Sequence, residues 1–333
     1  MIGPLQGANP AGNPNIKAAI IISTRDRANV LAGTLSSILS DSSVVPREVI
    51  VVDNGSSDST PDVISQAAAS AGIASVRGLS QPAPGKSRAL NLAVAETVAP
   101  YLLFTDDDVF VDDGWADALV APFADASVAV VGGRTLPVWP AGQAPPWLGG
   151  RIAEDLGLRD SGDAPRSLEP FDVVGVNMAL RRAALRDIKG PFETSLGPVG
   201  NVKVDYEEYH LISLLAGRHR IAYAPSAIVR HRIDAARLDW HWMRRMYFQR
   251  GVGAGRHDRL AGNRLPSPWV GAAMFARSYP RAQFLRAKHA MRGGRTPEQA
   301  EAEFFALLTA GRHLEWLFGE RPALCLRLAS LLV

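Results

Sequence analysis

The sequence predicts an α/β fold: a doubly wound, mostly parallel sheet flanked by helices, followed by a helical C-terminal extension. Three observations carry this. Short apolar runs of buried-strand type alternate with segments of helical periodicity through the first half. Two of those runs end directly in polar, turn-rich text, as strands of an open parallel sheet do at their carboxyl ends. After His231 the pattern turns helical and basic.

The elements follow in order. Ala18–Ser23 (AAIIIS) is a buried strand, and Ala28–Leu39 places Val30, Leu31, Leu35, Ile38 and Leu39 on one helical side. Glu48–Asp53 (EVIVVD) is the second strand; the turn Asn54–Ser59 follows, with Pro61 near the first turn of the next helix, where its missing N–H costs little. Ile73–Arg77 is a third strand, Ser87–Thr97 a helix, Tyr101–Thr105 (YLLFT) a fourth strand and Val128–Val131 a fifth. Arg134–Pro170 reads as a long proline-rich loop, a kind usually kept for function. A strand at Phe171–Val176, a helix near Arg181–Ile188, a helix around Asp205–Ala216 and short strands at Arg220–Ala224 and Ala227–His231 complete the core. The expected division is a flexible leader over 1–17, a domain over 18–235 and a basic, mostly helical extension over 236–333.

Bulk properties narrow the function. Nearly half of the 333 residues are apolar, so a buried core is expected. A net charge of +3 gives no support for a nucleic-acid partner, although Arg237–Arg295 contains only two acids, Asp239 and Asp258. The single cysteine, Cys325, excludes an internal disulfide framework and a cysteine zinc site, and fits a cytoplasmic setting. No charge-free apolar stretch reaches the roughly 20 residues of a membrane span. Peripheral contact with the inner membrane face is a different matter: Trp240, Trp242, Met246, Tyr247 and Phe248 interleave with Arg244, Arg245 and Arg250, which suits either an anionic membrane surface or a helix packed on the domain.

Three constellations carry chemistry. Asp106-Asp107-Asp108 follows the YLLFT strand. Adjacent carboxylates repel, and a hard divalent cation, Mg²⁺ or Mn²⁺, with phosphate oxygens in its shell relieves them. In an extended segment Asp106 and Asp108 share a face; an EF-hand is excluded because Phe110 stands where an oxygen ligand is needed. The second is Asp53-Asn54-Gly55-Ser56-Ser57-Asp58, where an acid can accept from a base N–H and small residues admit a nucleotide, or which can serve as turn and cap. The third is Pro84–Asn91, a helix start whose Lys86 and Arg88 favour phosphate. A P-loop hydrolase or kinase is the competing reading, but six residues separate Gly78 from Gly85 where that motif needs four.

STRDRANVLAGTLSSIL, EVIVVDNGSSDST, PGKSRALNLAV, YLLFTDDDVFVDDGW, VGVNMALRRAAL, GPFETSLGP and DYEEYHLISLLAGRHRIAYAPSAIVRH stand in the order and approximate spacing of the family-two glycosyltransferases of GT-A fold, a Rossmann-like architecture. The chain resembles that family from about Ala18 to His231. The resemblance implies transfer of a sugar from a nucleoside-diphosphate-sugar donor to a saccharide, lipid-linked or small-molecule acceptor, with inversion, in polysaccharide, glycolipid or other glycoconjugate synthesis. It implies that Thr24, Arg25 and Asp53 meet the base, with Asn54 and Asp58 in the same turn. Lys86, Arg88 and Asn91 match the segment near the diphosphate, and Asp106 and Asp107 join the nucleotide-sugar set. Asp106 and Asp108 match the ends of the DXD metal motif, with Asp108 the direct ligand to Mn²⁺ or Mg²⁺, and His231 matches a histidine that also reaches the metal or diphosphate. Apart from the resemblance, Trp139 and Trp147 in the Arg134–Pro170 loop offer aromatic faces on which an acceptor sugar can stack, or serve as anchors of a long loop, and Asn177 is a further acceptor candidate. The family usually has a Glu-Asp pair at the start of the helix ending in Ala-Gly. Here that place reads Val204-Asp205-Tyr206-Glu207-Glu208, so Asp205, Glu207 and Glu208 are the candidates for the base, and a non-catalytic sugar-nucleotide-binding relative is the alternative this departure keeps open.

Overall fold

The computed structural model describes residues 17–70, 75–198, 202, 204–290, 296–319 and 321–332. The expected leader, but for Lys17, lies outside them, as do the first two residues of the expected third strand.

One unit comprises the described residues up to Val138, Gly157–Thr194 and Leu211–Arg232. It is built on an eight-stranded mixed sheet, β1 (Ala18–Thr24), β2 (Arg47–Asp53), β3 (Ser75–Ser80), β4 (Tyr101–Thr105), β5 (Val109–Val111), β6 (Val128–Val138), β7 (Asn177–Arg181) and β8 (Arg220–Arg232), in the order β3-β2-β1-β4-β7-β6-β8-β5. β3, β2, β1 and β4 run parallel, in register from Ala18 opposite Arg47 and Tyr101. β7 enters antiparallel between β4 and β6, and β5 pairs antiparallel with β8. The GT-A, Rossmann-like class with a helical C-terminal region is therefore the observed one, with three parallel pairings among β1–β4 and a fourth between β6 and β8.

The apolar runs explain the burial. In β1, Ile20 and Ile22 join a core with Leu31, Leu35 and Ile38 of α1 (Ala28–Ser40), while Ile21 faces Leu90 and Ala93 of α3 (Lys86–Ala95) on the other side. A strand sealed on both faces reads as a continuous apolar run because period 2 feeds two cores. Truncating Ile21 to Ala removes contacts worth about 2–5 kcal/mol. Helix α2 (Thr60–Ser70) starts at the turn after β2, and α4 (Trp115–Val120) follows β5.

Three expectations need correction. Phe171–Val176 is not a strand: Glu169 and Asp172 form a reciprocal capping box with Pro170 at the first position, which winds Pro170–Asp172 into a 3-10 turn. The strand begins at Asn177, paired with β4 through Thr105 opposite Asn177, and the expected helix near Arg181–Ile188 shrinks to a 3-10 turn at Arg182–Leu185. The long loop is shorter than the text suggests, since β6 runs on to Val138 and α5 (Gly150–Asp155) follows.

The other unit comprises Trp139–Leu156, Ser195–His210 and the chain from Ile233 onward. Helix α6 (Glu207–Ala216) begins in it; α7 (Trp240–Leu260), α8 (Pro268–Ala290), α9 (Pro297–Phe318) and α10 (Pro322–Leu331) belong to it. Asp239 caps α7 by accepting from the N–H groups of His241 and Trp242, and Thr296 with Gln299 forms a capping box on α9. Helices α7 and α9 approach closely because Gly251 and Gly311 face each other's backbone: a Cβ on Gly251 would clash with the Leu308 carbonyl, and one on Gly311 with the Phe248 carbonyl. Tyr247 stacks on Phe304 with ring centroids 4.9 Å apart, and the Arg244 guanidinium lies 2.7 Å from the Glu303 carboxylate. Met243, Met246, Tyr247 and Phe248 are buried, so these side chains of the aromatic–basic segment pack within the unit, while Trp240, Trp242 and Arg245 are half-buried.

Candidate active site

The carboxyl ends of β1 and β4 lie side by side in the sheet, and the residues that follow them meet in one charged cluster with Lys86 and His231. Thr24 donates its hydroxyl to Asp107 Oδ2 at 2.6 Å. Arg27 straddles the acidic run, with Nε 2.9 Å from Asp107 Oδ1 and Nη2 2.6 Å from Asp108 Oδ2. His231, at the end of β8 opposite Val109 of β5, puts Nε2 3.3 Å from Asp108 Oδ1. Lys86, the first residue of α3, reaches Asp106 Oδ1 at 3.1 Å. Thr34 of α1 fixes the backbone of the run from below, donating to the carbonyls of Asp107 and Val109 and accepting from the Val109 N–H.

The three carboxylates are not equivalent. Asp107 and Asp108 are buried and Asp106 is half-buried. Burial, then the charges of Asp108 and Asp106, push the Asp107 carboxyl up to about 6 in spite of Arg27 and Thr24. Burial also opposes ionisation of Asp106, but the Lys86 ammonium, helped by His231, outweighs it and holds this carboxyl below the usual range. Among the described residues no three His, Cys, Asp or Glu side chains form a ready-made metal cage. Hard carboxylate oxygens from two residues fit a Mg²⁺ or Mn²⁺ ion whose remaining ligands are phosphate oxygens, the way Mg²⁺ is commonly held.

The Asp53–Asp58 turn is built by its own side chains. Asp53 accepts from the Ser56 N–H through Oδ1 at 2.9 Å. Asp58, expected at the nucleotide, commits its oxygens to the N–H groups of Thr60 and Ala28, and so caps α1, whose own residue Arg27 offers no side-chain cap. Asn54 is likewise a builder: its amide donates to the carbonyls of Gln81 and Ala83 and accepts from the Gly85 N–H, which shapes the loop leading into α3. Asn91 clamps the Phe192 backbone, donating at 2.8 Å and accepting at 2.9 Å. The side chains of Arg25 and Arg88 are largely exposed, and Arg25 pairs with Asp26 at 3.5 Å.

The acceptor residues fare differently from expectation. Asn177 is fully buried; it accepts from Trp115 Nε1 and donates to the carbonyls of Arg134 and Ala227. These contacts use both amide protons and one lone pair, so little bonding capacity is left for a ligand. Gly133 leaves room for this amide, because a Cβ there would clash with it. Asn177 is a core clamp, not an acceptor contact. Trp147 packs on Trp240 and Phe304 in the second unit, with centroids 4.8 and 6.3 Å away, so it anchors its segment. Trp139 is half-buried.

Asp205, Glu207 and Glu208 stand at the start of α6 in the second unit. Asp205 adopts φ 50°, a left-handed conformation that non-glycine residues rarely hold without a reason. Glu207 is buried to 1% exposure, whereas Asp205 and Glu208 are half-buried. A group that sequence reading left out joins this segment: Arg250 binds Asp155 Oδ1 at 2.8 Å, Tyr247 donates to Asp155 Oδ2 at 2.6 Å, and the charge of Asp205 adds to that of Asp155 in stabilising the Arg250 cation against its burial. Gly253 of α7 makes the 204–206 backbone possible here, since a Cβ on it would clash with the Val204 carbonyl. Arg27 and Thr34 were also passed over; the only local signal for Arg27 is a second arginine two residues after the first in STRDR.

Comparison with known proteins bears on the fold and the family. In curated sequences the chain is similar to a pre-mycofactocin glycosyltransferase from two strains of Mycobacterium tuberculosis, 26% identical over 272 residues. The match covers 80% of this chain and 53% of the relative, so the chain spans about half the length of the curated relatives it matches. In fold it is similar to a mannosyltransferase from Pyrobaculum calidifontis in complex with GDP-Man and Mn²⁺, with a TM-score of 0.53 at 18% identity over 98% of this chain and 84% of that one. A second structure, holding UDP, GalNAc and Mn²⁺, has a TM-score of 0.50 at 13% identity, covering 87% of this chain and 56% of that one. The model of glycosyl transferase family 2 matches residues 19–189, just over half of the sequence. The chain belongs to glycosyl transferase family 2.

Proposed function

We propose that the chain transfers a sugar from a nucleoside-diphosphate-sugar donor to an acceptor hydroxyl, with divalent-metal dependence and inversion at the anomeric carbon. The observation that carries this is the Asp106–Asp108 run at the end of β4, with Lys86 on one side and Thr24, Arg27 and His231 on the other. Asp53 offers a carboxylate oxygen beyond the one bound to Ser56, suited to a base N–H. Lys86, at the N-terminus of α3, adds an ammonium and a helix dipole for the diphosphate. Asp106 and Asp108 are the residues that would hold Mg²⁺ or Mn²⁺, which when bound supplies charge stabilisation for the departing diphosphate.

The reaction is one displacement. The acceptor oxygen bonds to the anomeric carbon as the bond from that carbon to the diphosphate oxygen breaks, and the hydroxyl proton passes to a carboxylate. Among the three candidates Asp205 is assigned that role: it is half-buried and held in a strained backbone conformation, while Glu207 is sealed from solvent. The acceptor is a saccharide, a lipid-linked sugar or a small molecule.

Calorimetric titration of nucleoside diphosphates with and without Mn²⁺, on wild type and Asp108→Asn, tests the donor site. Metal-dependent binding of one nucleotide that the variant loses while keeping its thermal transition is the expected result. ATP binding with no metal-dependent nucleoside diphosphate binding overturns the proposal.

A further inference from the structure

Helix α8 has two opposed faces. Gly271, Ser278, Ala282 and His289 are buried and mark the side packed on α9. Roughly half a turn away, at helical spacing, run Trp269, Ala273, Ala276, Pro280 and Phe284, all exposed. Trp269 is 86% exposed and Phe284 64%. Large apolar side chains standing this far into solvent, on one line of one helix, are not the scattered surface hydrophobes that need no explanation. The stripe carries no polar side chain between its two aromatic ends.

The charge beside it is one-sided. Arg277 and Arg281, both exposed, border the stripe, and the half-buried Lys288 continues the same flank toward the end of the helix. From Arg259 to Pro297 the sequence holds seven arginines and one lysine and no acid. We infer that this face of α8 docks on an anionic lipid bilayer surface, lying in the interface with Trp269 and Phe284 at the acyl boundary and the flanking cations among the headgroups. A second copy of the chain fits less well, because a self-complementary contact would bring the same unbroken basic flank against itself. No described helix is long and apolar enough to cross a membrane, so the contact is with the surface. The inference is independent of the sugar-transfer reading, and donor binding in solution does not depend on it.

The test is vesicle flotation of the full chain with phosphatidylcholine alone and with a phosphatidylcholine–phosphatidylglycerol mixture, at low and high salt. Wild type floats with the anionic vesicles at low salt and is released by salt. Partitioning drops at least about tenfold in Trp269→Ala/Phe284→Ala and in Arg277→Glu/Arg281→Glu, with nucleotide binding and thermal transition unchanged in both. Because Cys325 is the only cysteine and is buried, Ala273→Cys takes an environment-sensitive dye at the stripe, whose emission shifts to the blue with anionic vesicles. No flotation at low salt, undiminished flotation of the double variants, or a concentration-dependent dimer abolished by Trp269→Ala/Phe284→Ala would each overturn the inference.

Discussion

Arg27 Nη2 lies 2.6 Å from Asp108 Oδ2, and its Nε lies 2.9 Å from Asp107, so one guanidinium compensates two buried carboxylates. If Asp108 also receives a divalent ion, cation and arginine share the task of neutralising this run. Arg27→Gln then lowers stability in metal-free buffer by about 3 kcal/mol, a fall of roughly 5–10 °C in Tm. Mn²⁺ with nucleoside diphosphate raises Tm more in the variant than in wild type, because the ion replaces lost charge. Equal increments in a thermal-shift assay would show that the ion does not act on these carboxylates.

Lys86 and Asn91 both stand on α3, and both look like diphosphate residues in the sequence. Their contacts differ: Lys86 faces Asp106 at 3.1 Å, whereas Asn91 is tied to the Phe192 backbone at both ends of its amide. Lys86→Met weakens nucleoside diphosphate binding about tenfold or more and also lowers Tm, because Asp106 loses the cation that offsets its burial. Asn91→Ala lowers Tm and leaves the dissociation constant within about threefold. Calorimetry and a melting curve on the same samples separate the two; a binding loss in Asn91→Ala at full stability would return that residue to the ligand.

Asp205 and Gly253 are linked through Val204, whose carbonyl occupies the space a Gly253 side chain would need. Asp205→Asn reduces turnover about 10²–10⁴-fold with donor binding intact. Gly253→Ala displaces the 204–206 backbone and reduces turnover as well, with no change in any acid. Glu207→Gln lowers stability, and Glu208→Gln has a small effect on turnover. Wild-type turnover in Asp205→Asn would move the base to Glu208.

Much of the first unit could be read because its signals are local. The run AAIIIS, the turn after EVIVVD and the acids after YLLFT each state their element within a dozen residues, and all three lie where expected. What escaped depends on partners far along the chain. Asn54, Asn91 and Asn177 sit in ligand-like text, yet each amide is satisfied by a backbone segment that folding brings to it. Arg27 meets Asp108 from 81 residues away. Phe171–Val176 has strand composition, but the capping box around Pro170 overrides it, and register with β4 selects Asn177 instead. Gly251 and Gly255 of α7 lie against α9 and Gly253 lies against Val204, partners that the local sequence does not name.

His210 and His257 place their Nδ1 atoms 3.1 Å apart in the second unit, one necessarily donating to the other while both are neutral. Burial, then His210 itself, lowers the His257 pKa; Arg312 acts the same way and Asp258 opposes. A histidine whose folded pKa lies below the unfolded value of about 6.5 takes up its proton more readily when unfolded. The unfolded state therefore binds more protons as pH falls through that value, and stability declines with it. This contribution is intact above about pH 6.5 and fades below. Melting curves between pH 7.5 and 5.5 should show a falling Tm in wild type and a flatter one in His257→Gln. Parallel slopes for the two proteins would place the pH sensitivity in other groups.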